Sequence, residues 1–191
     1  MLNVISGTLS VGAPPIPPET NSYESIATYT VGSGGSASIT FNSIPSTYKH
    51  LQVRWSAKTD RADTDDVVLM QFNSDTSANY SWHWLRGNGS AAAAGATSSA
   101  SNIAIQYGAS GNSGATSVFG GAVLDILNYQ DTNKYKTTRS LQGFDLNGSG
   151  WIYLTSGNWR STSAVTSITL DQQYGSNFAE YSKFVLYGIK G

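Results

Sequence analysis

The sequence has no cysteine and few charged residues. Without cysteine, disulfides and thiolate metal sites are excluded. Charged residues make up 12% of the 191 positions, which is about half the usual share. Nucleic-acid binding requires clustered Lys and Arg. The 11 basic residues are scattered and the net charge is -1, so we expect no nucleic-acid partner.

Long hydrophobic runs are also missing. No window approaches the roughly 18 apolar residues that a membrane span requires, so we expect no membrane partner. The first seven residues lack the basic start and apolar core of a signal peptide, and none is expected. Disordered chains combine low hydrophobicity with high net charge and few aromatics. Aromatic residues reach 12% here, which favours a folded domain with a polar, uncharged surface.

Polar and apolar residues alternate with a period of two, which is typical of half-buried strands. The pattern is clearest in Ser36–Phe41 and His50–Ala57. Gly and Asn clusters separate further strand candidates: Ser25–Val31, Asp66–Asn73, Ser81–Arg86, Asn102–Tyr107, Thr116–Asn128, Lys134–Gly143, Gly150–Thr155, Ala164–Gln172 and Phe178–Ile189. The alanine run Ala91–Ala94 is too short to nucleate a helix and is predicted to be a loop. The pattern predicts an all-β, jelly-roll-like β-sandwich over residues 25–191.

Residues 1–24 differ from the rest because four of the five prolines lie there. Proline fixes φ and removes an amide donor, so this stretch is predicted to be an extended, Pro-rich arm, with a plain linker as the alternative. Its apolar start can add a strand to a neighbouring sheet. The candidate anchoring residues are Leu2, Val4, Ile5, Leu9, Val11, Pro14, Pro15, Pro17 and Pro18.

Two strand candidates are apolar on both faces, Gly121–Leu127 and Phe184–Ile189. Such strands are covered on both sides. The second cover is either a loop of the same chain or another subunit, and we favour a subunit interface. Its candidate residues are Val123, Leu127, Val185, Tyr187 and Ile189.

Residues with catalytic or metal-binding chemistry show no specific pattern. No nucleophile-elbow, zinc-protease or phosphate-loop motif is present, so we expect no enzyme and no cofactor. Asp125, Asp145 and Asp171 lie in or beside strands, but nothing selects a glycosidase pair among them. A weak calcium candidate combines four carboxylates, which supply the oxygen ligands that calcium prefers: Asp60, Asp63, Asp65 and Asp66.

Aromatic residues near polar turns suit stacking on sugar rings, although core packing is the alternative. Trp159, Trp84 and Tyr174 are the candidate ligand contacts, and Trp159 is expected to be exposed. Residues 88–101 and 108–117 are rich in small residues and are predicted to be mobile surface loops.

Three blocks resemble a family of tailed-phage virion proteins. They are SYESIATYTVGSGGS at residues 22–36, ITFNSIPSTYKHLQVR at residues 39–54, and the closing YGSNF and FVLYGI at residues 174–178 and 184–189. These strand-and-turn motifs bracket residues 22–190. The resemblance implies a β-sandwich component of a virion, assembled in the host cytoplasm and exposed on the particle surface.

The expected function is a capsid decoration, cement or head-knob protein anchored by its arm. Its expected partners are further copies of itself, as a homotrimer, and the major capsid protein or tail proteins. One alternative is a minor tail or receptor-facing fibre module that binds host surface glycan. A second alternative is a free carbohydrate-binding module.

Overall fold

The computed structural model of the protein describes residues 22–191. The anchoring residues predicted in the arm, from Leu2 to Pro18, lie outside this range. The last two residues of the predicted arm, Tyr23 and Glu24, begin the first strand.

Residues 22–191 form twelve antiparallel strands and no helix. The strands are β1 (Tyr23–Thr30), β2 (Ser38–Phe41), β3 (His50–Ala57), β4 (Asp65–Phe72), β5 (Tyr80–Gly87), β6 (Ala92–Ala100), β7 (Ile103–Ser110), β8 (Gly120–Leu127), β9 (Lys136–Asp145), β10 (Gly150–Trp159), β11 (Ile168–Gln172) and β12 (Lys183–Ile189). They make an eight-stranded sheet in the order β1-β12-β3-β8-β9-β10-β5-β6 and a four-stranded sheet in the order β2-β11-β4-β7. The predicted all-β, jelly-roll-like sandwich is confirmed.

The core lies between the two sheets. The eight-stranded sheet contributes Leu51, Val53 and Leu124, and the four-stranded sheet contributes Met70 and Ile105; each is fully buried. The period-two prediction for His50–Ala57 is confirmed, because Leu51, Val53, Trp55 and Ala57 all point inward from β3. At the edge of the smaller sheet, β7 packs against β9 and β10, and β5 and β6 continue the larger sheet beyond it.

The prediction of a loop at Ala91–Ala94 is wrong. Ala92 begins β6, which runs to Ala100 and pairs with β5. Most of the predicted mobile segment 88–101 is therefore strand, and segment 108–117 begins inside β7. The pairing of β6 with β5 satisfies backbone groups that small residues of low strand propensity cannot organise alone, so tertiary context decides the structure here.

Candidate functional site

The outer face of the eight-stranded sheet, directed away from the core, carries a row of exposed apolar side chains. Strand register places Val123, Leu141, Leu154 and Leu85 side by side on four neighbouring strands. Their exposed fractions are 38%, 49%, 49% and 52%, and Ile152 beside them is 59% exposed. Scattered surface leucines are ordinary, but a contiguous patch on a rigid sheet is characteristic of an interaction surface.

Glycines occupy three of the four positions in the next row of the same face. Gly121, Gly143 and Gly87 lie in register with Ile152, one row away from the leucines. A Cβ at Gly121 would meet no atom within 4 Å. The missing side chains leave a groove of about 950 Å³, bounded by Val123 and Leu141 on one side and by the turn at 145–150 on the other. A smaller, almost wholly apolar hollow of about 250 Å³ continues past Ile152 towards β6.

A polar ladder borders the apolar row. Arg54 Nε donates to Gln52 Oε1 at 2.6 Å, and Gln52 Nε2 donates to Asp125 Oδ1 at 2.7 Å. Arg139 Nη2 donates to Asp125 Oδ2 at 3.0 Å. Arg139 and Asp125 are an ion pair, and Gln52 links Arg54 to the same carboxylate. The patch thus has the apolar centre and polar rim that protein interfaces share.

All five predicted interface residues lie on this outer face. Val123 belongs to the apolar row, whereas the other four, Leu127, Val185, Tyr187 and Ile189, are only partly exposed. Tyr187 is partly covered by the chain itself, with the Tyr23 ring 6.4 Å away and the Arg54 guanidinium 5.4 Å away.

The centre of the patch was missed from the sequence. It lies on β9, β10 and β5, at Leu141, Ile152, Leu154 and Leu85. A usable signal existed in Trp151–Leu154, which is four consecutive apolar residues and therefore apolar on both faces. The same criterion had already selected β8 and β12.

The prediction that Trp159 is exposed is wrong. The side chain is 2% exposed, packs against Phe72 and Tyr80 at ring distances of 5.5 and 6.2 Å, and donates from Nε1 to Asp75 Oδ2 at 2.7 Å. Ser156–Asn158 has the composition of a turn, but in the structure it continues β10. The alternation from Tyr153 therefore directs Trp159 into the core.

Trp84 belongs to a cluster of aromatic rings around Arg86 on the inner face. Tyr107 stacks on Tyr153 at 5.0 Å and lies 5.6 Å from Trp151, while Trp84 lies 5.7 Å from Tyr153. Arg86 Nη1 donates to the Tyr153 hydroxyl at 3.1 Å, and its guanidinium lies 4.6 Å from the Trp151 ring. Burial raises the pKa of Tyr153 to about 12. The Trp84, Tyr107 and Trp151 rings are partly exposed at the rim.

Tyr174 is exposed elsewhere in the molecule, with the Arg61 guanidinium 4.3 Å from its ring. Trp84, Trp159 and Tyr174 thus have separate neighbours, and the structure does not bring the three together.

The three aspartates considered as a glycosidase pair are divided between the two sheets. Asp125 and Asp145 lie in the eight-stranded sheet and Asp171 in the four-stranded sheet.

The four carboxylates of the calcium candidate accept hydrogen bonds from the chain itself. Asp60 accepts from the amides of Ser176 and Asn177, and Asp66 from Thr59 Oγ1 and from amides including that of Gly175. Desolvation raises the pKa of Asp60, but the hydrogen bonds from Ser176 and Asn177 outweigh it and hold this pKa below its ordinary value.

Asp63 and Asp65 pair with Arg61 at 2.9 and 3.0 Å. Within residues 22–191, no group of three or more His, Cys, Asp or Glu side chains is placed to hold a metal ion.

Comparisons with models of known protein families, with curated proteins and with solved structures find no match to this chain. The phage-family resemblance therefore stays a prediction. In the part of the chain that the structure describes, no helix has the length and apolar character needed to cross a bilayer. The outer face of the eight-stranded sheet is the feature of the molecule that points most directly to a function.

Proposed function

We propose that this protein is a non-enzymatic structural subunit of a tailed-phage particle and associates through the outer face of its eight-stranded sheet. The observation that carries the proposal is the exposed row Val123, Leu141, Leu154 and Leu85 on four paired strands. A row held by backbone pairing loses little conformational entropy on binding, because its strands are already ordered. The resemblance of residues 22–54 and 174–189 to virion proteins supports the particle assignment.

The proposed partner at this face is a second copy of the chain, in a homotrimer. The rim offers both signs of charge, Arg139 and Arg54 beside Asp125, so two copies can meet without leaving a charge of one sign opposed to itself. The major capsid protein or a tail protein is the proposed anchor of the assembled module on the particle.

The test replaces the centre of the patch with charge. Leu141→Lys combined with Leu154→Lys places two ammonium groups in the apolar row and should convert the wild-type oligomer into a monomer, measured by sedimentation velocity. Ser38→Lys combined with Thr40→Lys is the matched control, because it adds two ammonium groups at exposed positions of β2, in the four-stranded sheet. Both variants should keep the wild-type circular dichroism spectrum. A wild-type chain that is monomeric at every concentration, or a double variant that still associates, would contradict the proposal.

A second candidate function is a receptor-facing module that binds host surface glycan. The partly exposed Trp84, Tyr107 and Trp151 rings around Arg86 favour it, because flat rings next to a hydrogen-bond donor suit a sugar face. A glycan array tests this function. Trp151→Ala should abolish binding, whereas Tyr174→Ala, which removes an exposed ring outside the cluster, should preserve it. Equal loss in both variants, or no binding by the wild type, would exclude the cluster as the site.

A further inference from the structure

The two edges of the eight-stranded sheet differ in how they are protected against pairing with another strand. On β1, register is broken between Ser25 and Ala27, and Glu24 brings a charge that pairs with Lys190 at 3.1 Å. Bulges and charges are the devices by which natural sheets block edge-to-edge pairing. The β1 edge is therefore protected.

The opposite edge, β6, has little of this protection. It is nine residues long, and the surrounding segment Asn88–Ser101 contains neither a charged residue nor proline. Its one irregularity lies near the Ala100 end, opposite Tyr80 and Trp82. Within residues 22–191, β6 pairs with β5 alone, and no strand pairs with its other edge. A long uncharged edge of this kind is a template for an added strand.

Both faces next to β6 provide apolar surface for such a strand. On the outer face, the leucine row continues from Leu85 to Ala94. On the inner face, the Trp84 indole lies over Gly95, so closely that a Cβ there would be 2.6 Å from the ring. An added strand with apolar residues on both of its faces can contact the alanine row on one side and the indole on the other.

The segment Leu2–Val11 has the required composition. It is uncharged and carries apolar residues on both faces of an extended strand, with Leu2 and Val4 on one and Ile5, Leu9 and Val11 on the other. Its ten residues match the nine of β6. We propose that β6 accepts Leu2–Val11 of a second copy of this chain as an added strand. This inference rests on the proposed assembly function and identifies the neighbour that receives the arm.

Reach favours a second copy over the same chain. A strand added beyond β6 lies eight strand spacings from β1, or about 38 Å at about 4.8 Å each. Gly12–Ser22, as the extended polyproline-type segment that the sequence predicts, joins Val11 to Tyr23 by twelve steps, or about 37 Å at about 3.1 Å per residue. That length only equals the separation measured along the sheet, and the path must also go around the sandwich. A copy whose β1 edge faces the β6 edge of its neighbour avoids this limit, and such head-to-tail contacts close into rings.

The absence of cysteine permits a clean cross-linking test. One full-length chain carries Thr8→Cys, and a second, differently tagged chain carries a single cysteine at Ala92, Ala94, Ala96 or Ser98, which covers both strand directions. After mixing and mild oxidation, we expect a disulfide between the two tags at one or two of these positions. The control acceptor carries Thr28→Cys on the protected β1 edge and should give no cross-link.

Three results would overturn the inference: equal cross-linking to β1, a cross-link only within a chain carrying both cysteines, or a β6-to-β6 cross-link between acceptor chains. A second variant separates this inference from the assembly proposal. Ala96→Lys with Ser98→Lys charges the edge at exposed positions outside the leucine row, and it should abolish the cross-link and preserve the fold. If this variant still assembles while Leu141→Lys with Leu154→Lys does not, the edge proposal fails and the outer-face proposal stands. If neither variant changes assembly, both fail.

Discussion

The two faces of the eight-stranded sheet are built from the same strands and are both apolar, yet only one belongs to the core. On β8, Leu124 is fully buried under the four-stranded sheet, whereas its neighbour Val123 points outward and is 38% exposed. Burial of the inner face stabilises the fold of the single chain. The outer face is still exposed and can stabilise an association, because burial of apolar surface is favourable whichever molecule covers it.

The largest expected difference is between two substitutions at adjacent positions of β8. Leu124→Ala leaves a cavity in the core and should lower the free energy of unfolding by about 2–5 kcal/mol. Val123→Ala, on the outer face, should lower it by less than about 1 kcal/mol. Urea unfolding of each variant as a monomer measures both. Equal losses would show that the outer face is already needed to fold the single chain.

Two glycines in the groove allow the same comparison within the outer face. A Cβ at Gly143 would lie 2.3 Å from the Trp151 carbonyl oxygen, while one at Gly121 meets nothing within 4 Å. Gly143→Ala should therefore cost about 1–3 kcal/mol of stability, and Gly121→Ala should change it by no more than about 0.5 kcal/mol. Thermal unfolding measures both, and similar melting temperatures for the two variants would contradict the register that places these glycines.

The sequence alone was sufficient for the fold class and for the inward residues of β3, because period-two alternation reports a half-buried strand directly. It failed at Ala92–Ala100, where the strand exists because β5 supplies its hydrogen bonds and not because alanine prefers it. It also failed at Trp159, since turn-like composition concealed the continuation of β10. Only one residue of the apolar row, Val123, was predicted as an interface residue. Leu141 and Leu154 lie beside Val123 because of the strand order, which cannot be read from a sequence.

A smaller effect on stability, at Asp75 beside the buried Trp159, depends on pH. Hydrogen bonds from Asn79 and from the buried Trp159 indole lower the pKa of Asp75 to about 2. A carboxyl with a depressed folded-state pKa contributes stability above its unfolded pKa of about 3.9 and loses it as the pH falls to the folded value. Asp75→Asn should thus lower the melting temperature at pH 6, and its difference from wild type should vanish as the pH approaches about 2.

Asp171 provides a control of opposite sign. Burial raises its pKa, so its charged form destabilises the fold once the pH exceeds the unfolded value. Asp171→Asn should stabilise the protein at neutral pH and lose this advantage in acid. Parallel pH profiles for the two variants would contradict the assignment of Asp75 to the Trp159 contact.

The smallest expected effect concerns the charges bordering the outer face. Arg139 pairs with Asp125 at 3.0 Å, but its side chain is 72% exposed, and exposed ion pairs contribute about 0–1 kcal/mol. Asp125 also keeps the 2.7 Å hydrogen bond from Gln52 when Arg139 is removed. Arg139→Gln should therefore leave the melting temperature of the monomer nearly unchanged at low and high salt. It should still weaken association, since Asp125 would then lose the guanidinium that pairs with it at the rim. A loss of stability comparable to that of Leu124→Ala would mean that the polar ladder holds the sheet together, and the contrast between the two faces would not hold.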